Sequence, residues 1–201
     1  MIGIISYGMG NITSIWHALD YLGHNVKITE MPRDVEMADH LILPGVGAFP
    51  SAMEQLKETG FVDVLCEHTL IKQKPILGIC LGMQLLADFG TEFSKCDGLG
   101  WIPGEVKPIP RPTSDIRLPQ IGWNEINIKK RNGLFANIDG DTSCYFVHSY
   151  QLSASNPEDV VATTHYGSSV TAAVARGNIY GAQFHPEKSQ RVGLSILDNF
   201  A

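Results

Sequence analysis

The feature that most restricts this chain is a thrice-repeated pattern in its first half, in which a short apolar run ends in a turn and then a helix. Ile2 to Ser6 ends at the turn Tyr7-Gly8-Met9-Gly10-Asn11, after which Ile12, Ile15, Trp16 and Leu19 recur on one helix face. His40 to Leu43 ends at Pro44-Gly45-Val46-Gly47, and Met53, Leu56, Phe61, Val64 and Leu65 then predict a helix from Pro50 to about Ile71, around Gly60. Pro75 to Ile79 runs into Cys80 and a helix expected over Leu81 to Phe89, while Val26 to Thr29 supplies a further strand after the stop signals Gly23 and Asn25. Strand and helix alternating at these lengths predict an α/β fold with three layers, its mostly parallel central sheet covered on both faces.

The second half reads differently. Trp123 to Ile128, Ser143 to Tyr150, Val160 to Thr164, Ala172 to Ala175 and Ile179 to Phe184 are strand-like runs separated by turns, expected as antiparallel additions to the same sheet. Ser189 to Phe200 is expected to close the chain as a helix. The only linker candidate is the segment containing Pro103, Pro108, Pro110, Pro112 and Pro119, which is short, flanked by apolar runs and expected to be a surface loop. The 201 residues are therefore expected to form a single domain, 1–201.

Composition removes several classes of function. The net charge is −6 and no window concentrates Lys and Arg, which excludes a phosphate-tracking nucleic-acid surface. No apolar run approaches the roughly 18 residues of a membrane span. The N-terminal MIGIISYGMG lacks a positive leader and reads as a first strand, not a signal peptide. Cys66, Cys80, Cys96 and Cys144 show no CxxC pair, which points to the reducing cytosol and thiols available for chemistry. No His/Cys pair has zinc-ligand spacing, so no metal and no cofactor are expected.

Ligands in open α/β sheets bind beyond the carboxyl ends of the strands. Three such ends carry unusual residues, and one is Gly78-Ile79-Cys80-Leu81-Gly82, the thiol counterpart of a G-x-S-x-G nucleophile elbow. A sharp strand-to-helix turn lifts the side chain out of the sheet, and small neighbours let the chain fold closely on itself. A helix N-terminus favours thiolate, and the Leu81 N–H would face an oxyanion formed beside the sulfur. Taken alone, the elbow fits a buried inert cysteine equally well. A base is needed, and Phe184-His185-Pro186-Glu187 offers one at the end of another strand. Residues two apart in an extended chain share a side, so Glu187 can orient His185 while His185 takes and returns the Cys80 proton. The remaining histidines, His17, His24, His40, His68, His148 and His165, are read as structural by default.

The segments around Cys80 and His185 resemble the signatures of the class I glutamine amidotransferases. Over essentially its whole length the chain is similar to the glutaminase subunits of imidazole glycerol phosphate synthases. The supporting stretches are Tyr7–Asn11, Leu43–Phe49, Gly122–Asn124 and Tyr145–Tyr150. The resemblance implies a flavodoxin-like fold and attack by Cys80 on the side-chain amide of glutamine, with His185 and Glu187 completing a triad. It implies glutamine contacts from Gly47, Gln84, Ser149 and Tyr150, and an oxyanion hole from Leu81 with Gly45 or Val46, whose strand reorients when the partner carries its own substrate. It also implies heterodimer formation with a (β/α)₈-barrel cyclase, which would use the ammonia to make imidazole glycerol phosphate and aminoimidazole carboxamide ribonucleotide. Asn11, Trp123 and Lys188 would lie at that interface; each has a plain alternative as a turn cap, a half-buried ring and a solvated cation.

Three other readings remain open at this point. Gly8-Met9-Gly10-Asn11-Ile12-Thr13 with Glu30 has part of a dinucleotide-binding fingerprint but lacks its third glycine. A paralogous glutaminase could supply a sugar-modifying synthase in a surface-polysaccharide pathway with the same triad. A scaffold with an inert Cys80 is disfavoured by the intact triad. The loop Arg111 to Leu118 suggests no role.

Overall fold

The computed structural model describes every residue of the 201-residue chain except Pro112, Asn132, Gly140 and Asp141. Four short strands, β1 (Ile2–Ile5), β2 (Val26–Thr29), β3 (His40–Leu43) and β4 (Ile76–Ile79), lie where the apolar runs place them. Helix α1 (Ile12–Tyr21) stops where Gly23, at φ +84°, donates to the Asp20 carbonyl and His24 reaches back to Leu19.

Two helices depart from expectation. The one predicted from Pro50 to about Ile71 is broken at Gly60, whose φ of +75° ends α2 (Phe49–Glu58) and starts α3 (Phe61–Cys66). The last part is a π-helical turn, Glu67–Ile71. The helix expected over Leu81 to Phe89 is only α4 (Leu81–Leu85), because the chain then enters strand β5 (Ala87–Gly90). The Leu85 and Leu86 carbonyls accept from the N–H groups of Leu99, Trp101 and Ile102. Short apolar runs of this kind carry no period that separates helix from strand.

The rest of the chain supplies β6 (Cys96–Asp97), β7 (Ile102–Pro108), β8 (Gln120–Ile128), β9 (Ser143–His148), β10 (Tyr150–Ala154), β11 (Val160–His165), β12 (Ser169–Arg176), β13 (Ile179–Ala182) and helix α5 (Gln190–Phe200). Among the described residues these form a nine-stranded sheet in the order β2-β1-β3-β4-β13-β12-β11-β8-β9 and a four-stranded sheet in the order β10-β7-β5-β6. In the large sheet β2, β1, β3, β4 and β13 run parallel, and β12, β11, β8 and β9 extend it antiparallel. The second sheet was not anticipated. It takes up the front of the proline-rich segment as β7, and it takes Tyr150 onward as β10 after a break at Ser149. Pro112 of that segment lies outside the described residues.

Side-chain alternation explains the layers. Ile4, Ile42, Leu77 and Ile79 face one core with α1 and α5 residues such as Leu19 and Phe200. Ile5, Leu41, Leu43 and Ile76 face the other, with Phe49, Leu56 and Phe61 and with Ile102 and Leu152 of the small sheet. Burial of an aliphatic side chain contributes about 2 kcal/mol, so burial on both faces stabilises strands only four residues long.

The elbow depends on two close approaches. A Cβ on Gly78 would stand 2.6 Å from the Gly82 carbonyl oxygen, and a Cβ on Gly82 would fall on the Leu43 carbonyl oxygen. Gly82→Ala is therefore expected to destabilise the fold by about 3 kcal/mol. Gly23→Ala, which meets open space and has only its positive φ to accommodate, is expected to cost about 1 kcal/mol. Urea midpoints of the two variants, at unchanged slope, measure the difference.

Candidate active site

The Cys80 backbone carries the bend itself, at φ +56° and ψ −111°, a conformation rarely adopted by a side-chain-bearing residue. Such strain costs on the order of 1–3 kcal/mol and concentrates at functional sites. β4 pairs with β13 in parallel, Ile79 opposite Ala182, and the Cys80 N–H donates to the Ala182 carbonyl at 2.8 Å. Adjacent parallel strands end on the same side, so Cys80 and His185, about one hundred residues apart in sequence, emerge together.

His185 shares the lining of one cavity with Cys80, and its Nδ1 lies 2.9 Å from Glu187 Oε1. The imidazole therefore has Nε2 left for the sulfur. Glu187 has no exposed side-chain surface, and Pro186 to Lys188 form a 3₁₀ turn that brings it back beneath the ring. The segment is held by the His185 N–H on the Tyr145 carbonyl at 2.9 Å. Ser189 Oγ donates to the His185 carbonyl and accepts from the Tyr145 N–H. Burial alone would push the His185 imidazole down, but hydrogen bonds and charge from Cys80 and Glu187 outweigh it and raise it to about 9.

A cavity of about 330 Å³ opens over the sulfur, and its lining includes Val46, Gly47, Cys80, Leu81, Gln84, Ser149, Tyr150, His185 and Lys188. The predicted substrate residues Gly47, Gln84, Ser149 and Tyr150 thus gather around the thiol. Of the oxyanion candidates, Leu81 opens α4, where its N–H has no acceptor within the helix, and Val46 is exposed at the rim. Gly45 differs from expectation. It does not line the cavity but packs behind it, where a Cβ would meet the Gly82 nitrogen and the Leu81 Cβ at 2.9 Å.

The interface candidates separate. Trp123 is 46% exposed and packs edge-on against Tyr145 at 5.9 Å, and Lys188 Nζ stands 5.9 Å over the same ring. Asn11 occupies the N-cap of α1 without a side-chain capping bond. The glycine turn before it does not form a phosphate cradle: Tyr7 donates to the Pro44 carbonyl at 2.9 Å, and a Cβ on Gly10 would touch the Pro44 ring at 3.0 Å. The turn braces Pro44–Gly47 from beneath.

Sequence reasoning missed four lining residues, Pro119, Val147 and the two with ionisable side chains, Glu92 and His148. Glu92 lies in the cavity and accepts from the Phe49 N–H at 2.8 Å through Oε2; it sits in a loop with no motif to mark it. His148, read as structural, also lines the cavity, and its Nδ1 lies 2.8 Å from the Tyr150 carbonyl. Burial pushes it down to about 4, and the charge of His185 works in the same direction against the Tyr150 hydrogen bond. The alternation of β9, with Cys144, Phe146 and His148 all buried, was its available signal. Among the described residues no cluster of His, Cys, Asp and Glu could hold a metal ion, and no helix is long and apolar enough to cross a membrane.

With this geometry in hand, comparison with known proteins decides the family. The model for glutamine amidotransferase class-I matches residues 4–201. The chain belongs to the class I glutamine amidotransferases. Relatives include imidazole glycerol phosphate synthase subunit HisH 2 of Vibrio vulnificus, 47% identical over 98% of this chain and 92% of that protein. Subunit HisH of Leptospira borgpetersenii is 45% identical over 100% and 99%. Among solved structures, PurLQS from Thermotoga maritima superposes with a TM-score of 0.77 at 18% identity, covering 99% of this chain and 96% of that one. A structure titled glutamine amidotransferase gives 0.75 at 20%, covering 99% and 98%. These last two likenesses concern the fold, which is the three-layer α/β architecture of this family.

The two cleft histidines shape stability in opposite directions. His185 binds its proton more tightly folded than unfolded, so its contribution is complete below about pH 6.5 and is lost as pH rises through about 9. His148 binds its proton less tightly folded, so its contribution is complete above about pH 6.5 and is lost as pH falls through about 4. Denaturant midpoints across pH are expected to show the alkaline limb flattened in His185→Gln and the acid limb flattened in His148→Gln.

Proposed function

We propose that this chain is the glutaminase subunit of an imidazole glycerol phosphate synthase, hydrolysing glutamine at Cys80 and passing the ammonia to a cyclase subunit in histidine biosynthesis. The observation that carries the chemistry is the buried Cys80–His185–Glu187 chain beneath a cavity lined by Gln84 and Tyr150. The pathway rests on relatives named for that synthase along the full length of this chain.

The Cys80 thiolate attacks the side-chain amide carbon, and electrons move onto the carbonyl oxygen, which the Leu81 N–H and the Val46–Gly47 segment receive. His185, raised to about 9, holds a proton at neutral pH and gives it to the departing nitrogen as the tetrahedral species collapses to a γ-glutamyl thioester. Water then attacks the thioester with His185 as base, releasing glutamate and restoring the thiolate. Glu187 fixes the tautomer and steadies the imidazolium throughout. Glu92, whose Oε2 is taken by Phe49, offers its other oxygen to the α-ammonium of glutamine.

The partner is a (β/α)₈-barrel cyclase. Supporting this are exposed apolar residues near the cavity: Val46, which lines it, and Ile121 and Trp123, which pair with Val147 and Tyr145 across β8 and β9, are 44%, 61% and 46% exposed, and Lys188 borders both the cavity and the ring of Tyr145. The partner's substrate-bound form stabilises the reactive setting of Val46–Gly47. The chemistry needs a reduced Cys80, which supports a cytosolic setting.

Reconstitution with the cyclase tests the reading. Cys80→Ala is expected to abolish glutamine-dependent synthesis while synthesis from added ammonium salt continues; loss of both would refute the division of labour. Product formation with this cyclase, and not with a sugar-modifying synthase, decides the recipient. The isolated chain is expected to hydrolyse glutamine only slowly, and rapid turnover without a partner would contradict the gating. Glu92→Gln is expected to raise the KM for glutamine about tenfold, consistent with loss of one charge-assisted hydrogen bond.

A further inference from the structure

We propose that Gln183 is a further catalytic residue: its side-chain amide donates a hydrogen bond to the Cys80 sulfur and favours the thiolate, in an orientation imposed by Gln84 and the Tyr150 carbonyl. This deepens the glutaminase reading and rests on Cys80 being its nucleophile.

Gln183 follows β13, two residues before His185, and is wholly buried. Its backbone N–H already serves the sheet by donating to the Ala172 carbonyl at 2.9 Å. The side-chain amide is therefore not needed for strand pairing, and an amide buried without partners would cost about 1–3 kcal/mol by mutational measures. Its partners are specific. Gln183 Oε1 accepts from Gln84 Nε2 at 3.0 Å, and Gln183 Nε2 lies 3.8 Å from Cys80 Sγ, within reach of an N–H···S bond.

The direction of this chain of bonds is fixed from its far end. A backbone carbonyl can only accept, and the Tyr150 oxygen accepts from Gln84 Nε2 at 2.9 Å and faces His148 Nδ1 at 2.8 Å. Gln84 must therefore turn its nitrogen toward Tyr150. The second hydrogen of that nitrogen goes to Gln183 Oε1, which leaves the Gln183 nitrogen facing the sulfur. Flipping Gln84 would set oxygen against oxygen, and flipping Gln183 would set nitrogen against nitrogen and its oxygen against the sulfur, all in a buried site.

The sulfur's other neighbour shows why this favours the charged form. A protonated Cys80 directs its S–H to the Val147 carbonyl at 3.8 Å. Once the proton moves to His185, that carbonyl offers the sulfur nothing, while the Gln183 N–H remains and strengthens because its acceptor is now charged. In the thioester the sulfur is neutral and the bond weakens. When water expels the sulfur again as thiolate, the bond is restored. Gln183 thus assists the leaving of the sulfur as well as its attack. It does not line the cavity, so it acts on the nucleophile and not on glutamine binding.

The experiment is alkylation of the full chain by iodoacetamide over a pH series, read by mass spectrometry on the Cys80 peptide so that the other thiols do not contribute. Gln183→Met keeps the side-chain length and removes the amide. The midpoint of its rate profile is expected to move up by about one pH unit, and with the cyclase present kcat for glutamine falls while KM stays. Gln84→Met leaves Gln183 in place but frees its orientation, and is expected to give a smaller shift in the same direction. An unchanged midpoint in folded Gln183→Met overturns the proposal, because a purely packing role would lower the melting temperature and leave the midpoint in place. Should Gln183→Met fail to fold, Gln84→Met decides by the same criterion. If the unmodified chain with its cyclase hydrolyses no glutamine, the functional reading fails separately, and the alkylation profiles still report on the hydrogen bond.

Discussion

The site depends on the parallel pairing of β4 with β13, which sets Ile79 against Ala182 and ties the Cys80 N–H to the Ala182 carbonyl. That pairing decides which strand ends are neighbours and on which side of the sheet both chains leave it. A shift of one residue in this register would turn alternate side chains to the opposite face and separate the thiol from the imidazole. β13 also stands at the boundary where the parallel half of the large sheet gives way to the antiparallel half. The antiparallel half is what carries β9 back so that Tyr145 can hold the His185 segment and His148 can approach the cavity.

Within that frame the same side-chain type takes two roles, according to what surrounds it. His185 and His148 are both buried, and burial pushes both toward the neutral form. His185 has a thiol on one side and a fully buried carboxylate on the other, and these reverse the effect. His148 has a neutral carbonyl and the charge of His185, and it stays neutral. Two titratable groups pushed apart by their settings are a usual means of assigning a proton carrier and a fixed dipole in one site. In the proposed reaction the carrier is His185, while His148 lies against the Tyr150 carbonyl.

What could be read in advance followed what is local. The strand-to-helix elbow and the turns at Gly8 and Gly45 are encoded in contiguous residues and formed as expected, whereas His185 and Glu187 meet through a 3₁₀ turn and not along the extended chain that their spacing suggested. The fates of Ala87 to Phe89 and of Pro103 to Pro108 were not local. Both became strands of a sheet whose partners, β10 among them, lie elsewhere in the chain. The predicted helix through Gly60 failed because apolar spacing continues across a residue that only its left-handed φ exposes as a break. Glu92 was invisible for a related reason, since its place in the cavity is set by a hydrogen bond to Phe49, whose partnership no motif announces. Gly45 was legible as a turn residue, but its packing against Leu81 and Gly82 appears only once two loops are brought together.

The Pro44–Gly47 turn shows how the fold localises any adjustment of the oxyanion site. Its first half is fixed: Tyr7 grips the Pro44 carbonyl, the Gly10 turn lies against the Pro44 ring, and Gly45 is buried with no room for a Cβ. Its second half is exposed, with Val46 at the rim and Gly47 at φ +103°. Any movement of the turn would therefore be confined to the peptide units around Val46 and Gly47, which line the cavity together with Cys80. A ligand shifts such an equilibrium only by as much as it favours one arrangement over the other. A partner covering Val46 would exert that preference by direct contact, because the side chain it buries belongs to the segment that the proposed gating would move. Gating of this kind needs no relay through the core, which can remain rigid and hold the triad in place.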